Sequence, residues 1–474
     1  MLAGMAVHAD AGRPNILFIL TDDQGYGDLE CHGHPFLKTP NINKLHAQST
    51  RFTDYQVSPT CAPTRAALMS GRIPFEVGVT HTIMERDRMA LGVTTIAEVL
   101  KKAGYTTGIF GKWHLGEEDE YQPGSRGFDE VFIHGAGGIG QNLQGSQGDV
   151  PGNKYFNPTI RHNGVFEKTE GYCTDVFTRQ TLGWIKQNKD KEKPFFAYLA
   201  TNAPHGPYNV DEKYSSLYSD KVSGKKVDAF LGMITNIDEN VGLIMEKLDE
   251  WGLAENTLLI FSTDNGSAKG HEVYNAGMKG KKGSTHEGGT RVPLFFRLPG
   301  VTKPGVDVDR LTRHIDLFPT LAQLAGADIS ELGLRGRSLW PLVKNPSAEW
   351  PDRYVFFNAG RWPKAGARGM FGKGDPNPDS YKIKYSAVRN ERWRLVAGNE
   401  LYDIDKDPGE ENNVIAGHPE VAEEMLKWYD GQWKRVRPLM INEDAPLDVD
   451  KPFRSNYLKQ KAAGGIPKWV APEL

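Results

Sequence analysis

The sequence predicts an α/β fold, in which helices flank a mostly parallel central sheet, followed by a smaller α+β unit. Three observations predict it: short apolar runs without polar alternation, amphipathic helical stretches between them, and a change in composition after about residue 345. A chain of 474 residues also exceeds what one hydrophobic core usually serves. We therefore predict an α/β domain over residues 13–350 and an α+β domain over residues 351–474.

Four apolar runs predict strands that are buried on both faces of the sheet, and each run leads directly into a polar cluster. They occupy residues 15–20, 106–110, 195–200 and 257–262. Ligands of such sheets bind beyond the carboxyl ends of the strands. Residues that are far apart in the chain are therefore expected to meet there in one cleft.

Amphipathic stretches predict helices at residues 94–103, 174–188 and 227–251 of the larger domain. In the smaller domain, a strand is predicted at residues 354–358, and residues 359–381, rich in Gly, Pro, Lys and Arg, indicate a long loop. Antiparallel strands are predicted at residues 386–389, 392–397 and 400–403, followed by an amphipathic helix at residues 419–436.

Composition excludes several classes of protein. A net charge of −3 argues against a nucleic-acid-binding protein, and no apolar run approaches the length of a membrane span. Three cysteines without a C-x-x-C spacing form no disulfide framework. Residues 1–12 end close to Ala9-Asp10-Ala11, which is similar to a signal-peptidase site, so we interpret them as the remnant of an export signal or as a tail. The first interpretation predicts a periplasmic or secreted protein.

Two polar clusters predict a metal site. Asp22 and Asp23 follow the first strand, and Asp264 and Asn265 follow the fourth. Carboxylate and amide oxygens without histidine or cysteine favour a hard cation such as Ca²⁺ or Mg²⁺. Capping of a following helix is the alternative for either cluster alone. Two similar clusters at strand ends favour the metal.

Cys61 is a candidate nucleophile. It precedes a predicted helix that has Pro63 in its first turn, and a helix N-terminus is expected to lower the pKa of a thiol. Arg65, one turn further on, is placed to bind a tetrahedral oxyanion through its forked guanidinium. The alternative role for a lone cysteine is that of a small buried core residue.

These motifs resemble those of a known family. Cys61-Ala62-Pro63-Thr64-Arg65 resembles the C-x-P-S/T-R signature of type I sulfatases, in which the cysteine is oxidised to formylglycine after translation. Other segments resemble further family motifs in the same order: Asp22-Asp23 with residues 24–28, Gly111-Lys112-Trp113-His114, Pro204-His205, Asp264-Asn265-Gly266, and residues 282–293. Thr64 stands where serine is commoner.

The resemblance implies an alkaline-phosphatase-like fold and one Ca²⁺ per chain, with Mg²⁺ as the less favoured ion. Asp22, Asp23, Asp264, Asn265 and the modified Cys61 would hold the metal. It also implies that a formylglycine-generating enzyme acts on the chain during maturation. Formylglycine hydrates to a gem-diol, and one of its hydroxyls, activated by the metal and Asp264, attacks the sulfur of the ester.

The resemblance also implies roles for the cationic and histidine residues. Arg65, Lys112 and Lys282 would offset the charge of the sulfate oxygens in the transition state. His205, together with Lys282, would protonate the leaving alcohol. His114 would take the proton of the second hydroxyl, which expels sulfate and restores the aldehyde. The lysines and histidines also have ordinary alternatives, as surface lysines and core histidines.

The glycine-rich loop, residues 135–140, fits G-x-G-x-x-G, but no helix follows it, so it is not a dinucleotide site. We predict that it is a flexible loop at the rim of the pocket. The expected substrate is a sulfated carbohydrate, with the sugar and the exo or endo mode left open. Substrate-binding candidates are His32, His34, His134, Gln141, Asn142, Arg361 and Trp362.

The sequence leaves two alternative functions open. A phosphate or phosphonate ester hydrolase on the same fold would use the same metal and nucleophile. A catalytically dead protein that binds sulfated glycans would need the pocket alone. The combination of Cys61 with His114 argues against the second alternative, since a binding protein has no use for that pair.

Overall fold

A computed structural model describes residues 13–143, 148–447 and 451–474, so the predicted export remnant at residues 1–12 lies outside the described chain. The strands are β1 Asn15–Thr21, β2 Thr50–Phe52, β3 Tyr55–Gln56, β4 Thr106–Lys112, β5 Glu130–His134, β6 Thr159–His162, β7 Val165–Lys168, β8 Phe195–Ala200, β9 Thr257–Thr263, β10 Leu294–Arg297, β11 Val306–Val308, β12 Thr312–Arg313, β13 Val355–Asn358, β14 Ser386–Arg389, β15 Trp393–Val396 and β16 Glu400–Asp403. The helices are α1 Pro40–Ala47, α2 Cys61–Ser70, α3 Ile96–Lys102, α4 Cys173–Asn188, α5 Glu212–Ser215, α6 Val227–Glu250, α7 Glu287–Thr290, α8 Leu317–Leu324, α9 Trp340–Lys344, α10 Pro419–Val436 and α11 Pro452–Gly464.

A ten-stranded sheet forms the centre of the molecule, in the order β11-β2-β10-β9-β1-β8-β4-β5-β6-β7. The five strands from β9 to β5 are mutually parallel. Strands β10 and β6 pair in the antiparallel sense with β9 and β5. The predicted class, a mostly parallel sheet flanked by helices, is confirmed, and β1, β4, β8 and β9 are the four predicted strands.

Strand β1 shows why these runs lack alternation. Ile16, Phe18 and Leu20 join the core on one face of the sheet, whereas Leu17 and Ile19 join the core on the other. Because both faces are covered, residues 16–20 of the strand are all apolar. Polar residues resume with Thr21, and Asp22 and Asp23 follow it at the edge of the sheet.

A second sheet of four antiparallel strands, β13-β14-β15-β16, packs against α10. Its strands and helix match the predicted C-terminal elements, with the same bounds for β14, β16 and α10. The predicted loop contains two short 3₁₀ helices, Gly369–Gly372 and Pro378–Tyr381.

The final segment returns to the larger sheet. Helix α11 was not predicted, and its Phe453 packs against Phe166 of β7 with ring centroids 5.1 Å apart. We keep the division of the chain near residue 350 as a proposal. Residues 451–474 belong by their packing to the larger unit rather than to the smaller one. Within the described chain, no helix combines the length and apolarity that crossing a bilayer demands.

Candidate active site

The pairing of β1 with β9 brings the two acidic clusters together. Thr21 and Thr263 are register partners at the carboxyl ends of these parallel strands. The backbone N–H of Asp264 donates to the carbonyl of Thr21 at 3.1 Å, and the N–H of Asp23 donates to Oδ1 of Asp264 at 3.1 Å. Residues that are 241 positions apart thus share one edge of the sheet.

Cys61 completes this acidic cluster. Helix α2 begins at Cys61, and its Sγ lies 3.7 Å from Oδ1 of Asp23. One ligand atom from each of Asp22, Asp23, Cys61 and Asp264 lies within 4.8 Å of the others, and all four residues are buried. Three carboxylates this close together repel one another unless positive charge lies among them.

The donor set fits a hard cation. Oδ1 of Asp22 and Oδ1 of Asn265 are buried and have no hydrogen-bond partner among the described residues. A buried oxygen without a partner costs about 1–3 kcal/mol. Carboxylate and amide oxygens are the ligands that Ca²⁺ takes in proteins. These two orphaned oxygens are thus suited to hold a metal at the positions the sequence predicts.

Three cationic side chains surround the carboxylates. Arg65 donates to Oδ2 of Asp264 from Nη2 at 2.8 Å and from Nε at 3.1 Å. Nζ of Lys112, at the end of β4, lies 2.5 Å from Oδ2 of Asp22. Nζ of Lys282 lies 2.6 Å from Oδ2 of Asp23. Each cation therefore pairs with a different carboxylate of the cluster.

Burial and neighbouring charges shift the pKa values of Asp23 and Asp264 in opposite directions. Burial raises the pKa of Asp23, but positive charge, led by that of Lys282, outweighs it and holds this pKa well below its usual range. Burial and the charge of Asp22 raise the pKa of Asp264 to about 6, against the opposing effect of Arg65. An added cation would lower the pKa of Asp264 and favour its ionised form.

The prediction that the helix N-terminus lowers the thiol pKa of Cys61 is wrong. Burial and the charge of Asp22 raise this pKa well above its ordinary value, although Lys112 and Lys282 oppose them. The helix terminus is a local effect, whereas the desolvation and the neighbouring carboxylates arise from the fold. An unmodified Cys61 would remain a thiol at neutral pH and would be a weak nucleophile.

His114 presents one ring nitrogen as a base. Its Nε2–H donates to the carbonyl of Thr82 at 2.8 Å, which leaves Nδ1 without a proton. Nδ1 is buried and has no hydrogen-bond partner among the described residues. Burial and the charge of Lys112 lower the pKa of His114 well below its ordinary value, so the ring is neutral. The contact with Thr82 was not predicted, because nothing in the local sequence indicates it.

In His205 the other ring nitrogen, Nε2, is left without a proton. Its Nδ1–H donates to the carbonyl of Gly206 at 2.6 Å, so Nε2 is the free nitrogen, 3.7 Å from Oδ2 of Asp23. Burial and the charge of Lys282 lower the pKa of His205 to about 3. Its carbonyl accepts from the hydroxyl of Tyr155, a second contact that the sequence does not indicate.

The glycine-rich loop lies against both histidines. A Cβ atom on Gly137 would lie 2.5 Å from Cε1 of His114, and one on Gly138 would lie 3.0 Å from Cε1 of His205. The carboxylate of Asp149 accepts from the N–H groups of Gly135 at 3.1 Å and Gly140 at 2.7 Å. The loop therefore lies beside both histidines, and Asp149 binds its backbone at both ends.

Four of the predicted substrate-binding residues lie in or near this loop or beside His81. His134, the last residue of β5, pairs in register with Lys112, and its buried Nε2 has no partner among the described residues. Gln141 packs against Gly138, and Asn142 is exposed beyond it. Arg361 is exposed and lies 3.2 Å from Nε2 of His81, measured from Nη1. These four stay candidates for substrate contact.

The structure corrects three predicted substrate contacts. His32 stacks on Tyr26, with ring centroids 3.9 Å apart. His34 is buried and accepts the N–H of Leu37 at 2.9 Å. Trp362 is 1% exposed and packs in the core between the small sheet and α10. Each side chain is taken up by local packing, which sequence proximity to the metal motif or to a loop does not reveal.

The fold and the site together define a class of enzyme: a hydrolase of anionic esters with an alkaline-phosphatase-like fold. Carboxylates, cations and two histidines meet there around one helix-borne cysteine. The family model for sulfatases matches residues 14–327, and that described as N-sulphoglucosamine sulphohydrolase, C-terminal, matches residues 280–430. The chain belongs to the sulfatase family, and it is an enzyme that hydrolyses sulfate esters.

Relatives and solved structures agree with this assignment. Arylsulfatase A of Homo sapiens is 33% identical over 469 residues, which cover 90% of this chain and 88% of the relative. N-acetylgalactosamine-6-sulfatase of Homo sapiens is 32% identical over 378 residues, covering 75% and 70% of the two chains. The structure of Ps i-CgsB in complex with k-i-k-neocarrahexaose has a TM-score of 0.75 and 27% identity, covering 95% of this chain and 98% of that one. The predicted sulfatase family is thereby confirmed.

Proposed function

We propose that this sulfatase removes sulfate from carbohydrates, with one Ca²⁺ and with Cys61 converted to formylglycine. The observation that carries the proposal is the position of Cys61, whose Sγ lies at the start of α2, inside a buried cluster with Asp22, Asp23 and Asp264. Similarity to N-acetylgalactosamine-6-sulfatase and to a structure bound to k-i-k-neocarrahexaose supports a sugar substrate. An exported location is part of the proposal.

Asp22, Asp23, Asp264 and Asn265 would hold the metal together with the modified Cys61. The unpartnered oxygens of Asp22 and Asn265 support this set. When bound, Ca²⁺ supplies positive charge that polarises the sulfate ester and its nucleophile. The hydrated aldehyde of formylglycine would supply the attacking hydroxyl and a second hydroxyl, whose deprotonation would expel sulfate and restore the aldehyde. The raised thiol pKa of Cys61 supports the need for such a modification.

The cationic side chains of Arg65, Lys112 and Lys282 bind the sulfate oxygens and offset their charge. The guanidinium of Arg65 is fixed by Asp264 and by the carbonyl of Lys112, to which Nη1 donates at 3.0 Å. Lys112 and Lys282 are each held by one carboxylate. Because these donors are already oriented by their carboxylates, little reorganisation is needed as charge develops in the transition state.

The two histidines move protons at opposite ends of the reacting group. Nδ1 of His114 is unprotonated and takes the proton of the second hydroxyl, since its Nε2–H is fixed on Thr82. Nε2 of His205 gives a proton to the leaving alcohol. The charge of a bound sulfate ester favours the protonated form of His205, and the neighbouring Lys282 ammonium is the second donor there.

The proposal is tested on the peptide that carries Cys61. The protein is produced with a formylglycine-generating enzyme, and the mass of the tryptic peptide spanning residues 52–65 is measured alongside turnover of sulfated sugars. We expect the aldehyde or its hydrate and release of sulfate. Cys61→Ala should abolish turnover, and Cys31→Ala, in a cysteine outside the cluster, should retain it. An unmodified thiol in fully active protein would contradict the mechanism.

The same assay separates the alternative functions. Aryl sulfate and aryl phosphate esters with one leaving group are compared at equal concentration. A faster rate on the phosphate ester would favour the phosphohydrolase. Glycan binding without any turnover by the modified protein would favour the binding protein. Neither alternative has a specific structural observation in its favour, because both use the same buried residues.

A further inference from the structure

Gly360, in the loop that follows β13, makes one close backbone contact with Thr80. A Cβ atom on Gly360 would lie 1.7 Å from the carbonyl oxygen of Thr80, and Gly360 has a φ of 64°. Any other side chain would collide with this backbone oxygen in a strained conformation. The contact places the next residues of both segments, Arg361 and His81, side by side, with Nη1 of Arg361 3.2 Å from Nε2 of His81.

The two groups that face each other here are both donors. Nδ1 of His81 accepts the backbone N–H of Thr82 at 2.8 Å and that of Ile83 at 3.2 Å. Burial and the charge of Arg361 lower the pKa of His81 well below its ordinary value, so the ring is neutral. Its one proton therefore lies on Nε2, and it points toward the N–H groups of Arg361. Two converging donors need an acceptor that neither supplies.

The pair lies beside the catalytic centre. His81 directly precedes Thr82, whose carbonyl receives the Nε2–H of His114. The surrounding protein lowers the pKa of the Arg361 guanidinium, and the negative charge of Asp23 offsets this in part. Arg361 is exposed, and across the described ranges no carboxylate forms an ion pair with its guanidinium. A ligand that occupies the sulfate site is thus within electrostatic reach of this pair.

We propose that Arg361 and His81 bind a second anionic group of the substrate, a carboxylate or a further sulfate on the sugar. Such an oxyanion accepts from the planar guanidinium and from Nε2–H of His81 at the same time. The proposal rests on the proposed function, because the scissile sulfate is bound at Cys61. It narrows the substrate to sugars that carry two negative charges.

The experiment compares matched sugar sulfates that share the scissile sulfate and differ in the second anion. One arm adds a second sulfate, as in D-glucosamine 2-N,6-O-disulfate against N-acetylglucosamine 6-sulfate. The other arm adds a linked hexuronate to the same monosulfated sugar. Equivalent pairs built on a 4-sulfate cover the other position. The readout is the ratio of kcat/KM for the dianionic over the monoanionic member of each pair.

We expect the parent enzyme to favour the dianionic sugar in one arm, which identifies the second group as sulfate or carboxylate. Arg361→Gln should lower that ratio about ten- to a hundred-fold, the effect of losing a charge-assisted hydrogen bond. His81→Asn keeps an acceptor for the backbone N–H groups and removes the Nε2–H donor, so it should lower the ratio in the same arm. Lys373→Gln removes an exposed charge of the same loop and should leave the ratio unchanged.

Two results would overturn the inference. If the parent enzyme hydrolyses the monoanionic and the dianionic member of each pair equally well in both arms, it has no second anion site. A ratio that Arg361→Gln and His81→Asn leave unchanged would show that other groups select the anion. If the modified enzyme hydrolyses no sugar sulfate at all, the proposed function itself fails, and the inference falls with it.

Discussion

Gly137 lies directly over the imidazole ring of His114, so close that a Cβ atom would be 2.5 Å from Cε1 and 2.7 Å from Nε2. The same ring is fixed from its edge by the carbonyl of Thr82. His114 is therefore held by two backbone groups from segments on either side of it in sequence. This packing explains why a glycine-rich loop without a dinucleotide site is present in the chain.

We expect Gly137→Ala to lower kcat by about 10²-fold while the protein remains folded, because an added methyl group must displace the His114 ring from its position. Steady-state kinetics on an aryl sulfate, with circular dichroism as a check of folding, measure the effect. Gly92→Ala is the matched control, since a Cβ atom there would meet nothing within 4 Å. Unchanged kcat in Gly137→Ala would show that the ring position does not matter.

Arg65 is expected to resist conservative replacement. Its guanidinium makes two hydrogen bonds to Asp264 and a third to the carbonyl of Lys112, a fork that a lysine ammonium does not reproduce. Arg65→Lys should lower kcat/KM by about 10²–10³-fold, in the range found for loss of an oriented donor to a developing oxyanion. Arg297→Lys, on β10 away from the site, is the control. Comparable activity of Arg65→Lys and the parent enzyme would contradict this role.

Calcium is expected to stabilise the fold measurably. A ligand that binds only the folded state adds about 2.7 kcal/mol of stability at a hundred-fold excess over its Kd. Differential scanning calorimetry with a chelator, and then with Ca²⁺ or Mg²⁺ restored, measures the change in Tm. Asn265→Ala removes one unpartnered oxygen and should reduce the Ca²⁺-dependent rise in Tm. A Tm that does not respond to chelation or to Ca²⁺ would argue against a metal at this cluster.

The polar clusters at the ends of β1, β4, β8 and β9 could be predicted because they are local in sequence: each comes directly after an apolar run that indicates a strand buried on both faces. Cys61 and Arg65 could be predicted from their own local motif. The bounds of α10 were predicted for a similar reason, from its amphipathic pattern. The thiol pKa of Cys61 could not be predicted in this way, because it depends on burial by the fold and on the carboxylates of Asp22 and Asp264, which follow β1 and β9. Thr82, which fixes His114, lies 32 residues from it and carries no motif. The prediction that Trp362 binds substrate was wrong because its packing against Trp433 of α10 is also long-range.

A buried ionic network joins the small sheet to the larger unit at Glu287. Oε1 of Glu287 lies 2.9 Å from Nε of Arg389 on β14 and also contacts Arg394 on β15. Nη2 of Arg389 lies 2.8 Å from Oδ2 of Asp54. Burial raises the pKa of Glu287, but Arg389 and Arg394 outweigh it and lower this pKa to about 2.

We expect Glu287→Gln to lower the free energy of unfolding by about 3–5 kcal/mol at pH 7, because two buried guanidinium groups lose a charged partner. The folded-state pKa of Glu287 lies below its ordinary value of 4.5, so its contribution is complete above about pH 4.5 and is lost as the pH falls toward 2. The difference between the parent protein and Glu287→Gln should therefore narrow over that window. Urea unfolding at a series of pH values measures it, and Glu255→Gln, in an exposed residue, should show no comparable difference. A difference that stays constant from pH 7 to 3 would show that the carboxylate charge is not what stabilises this junction.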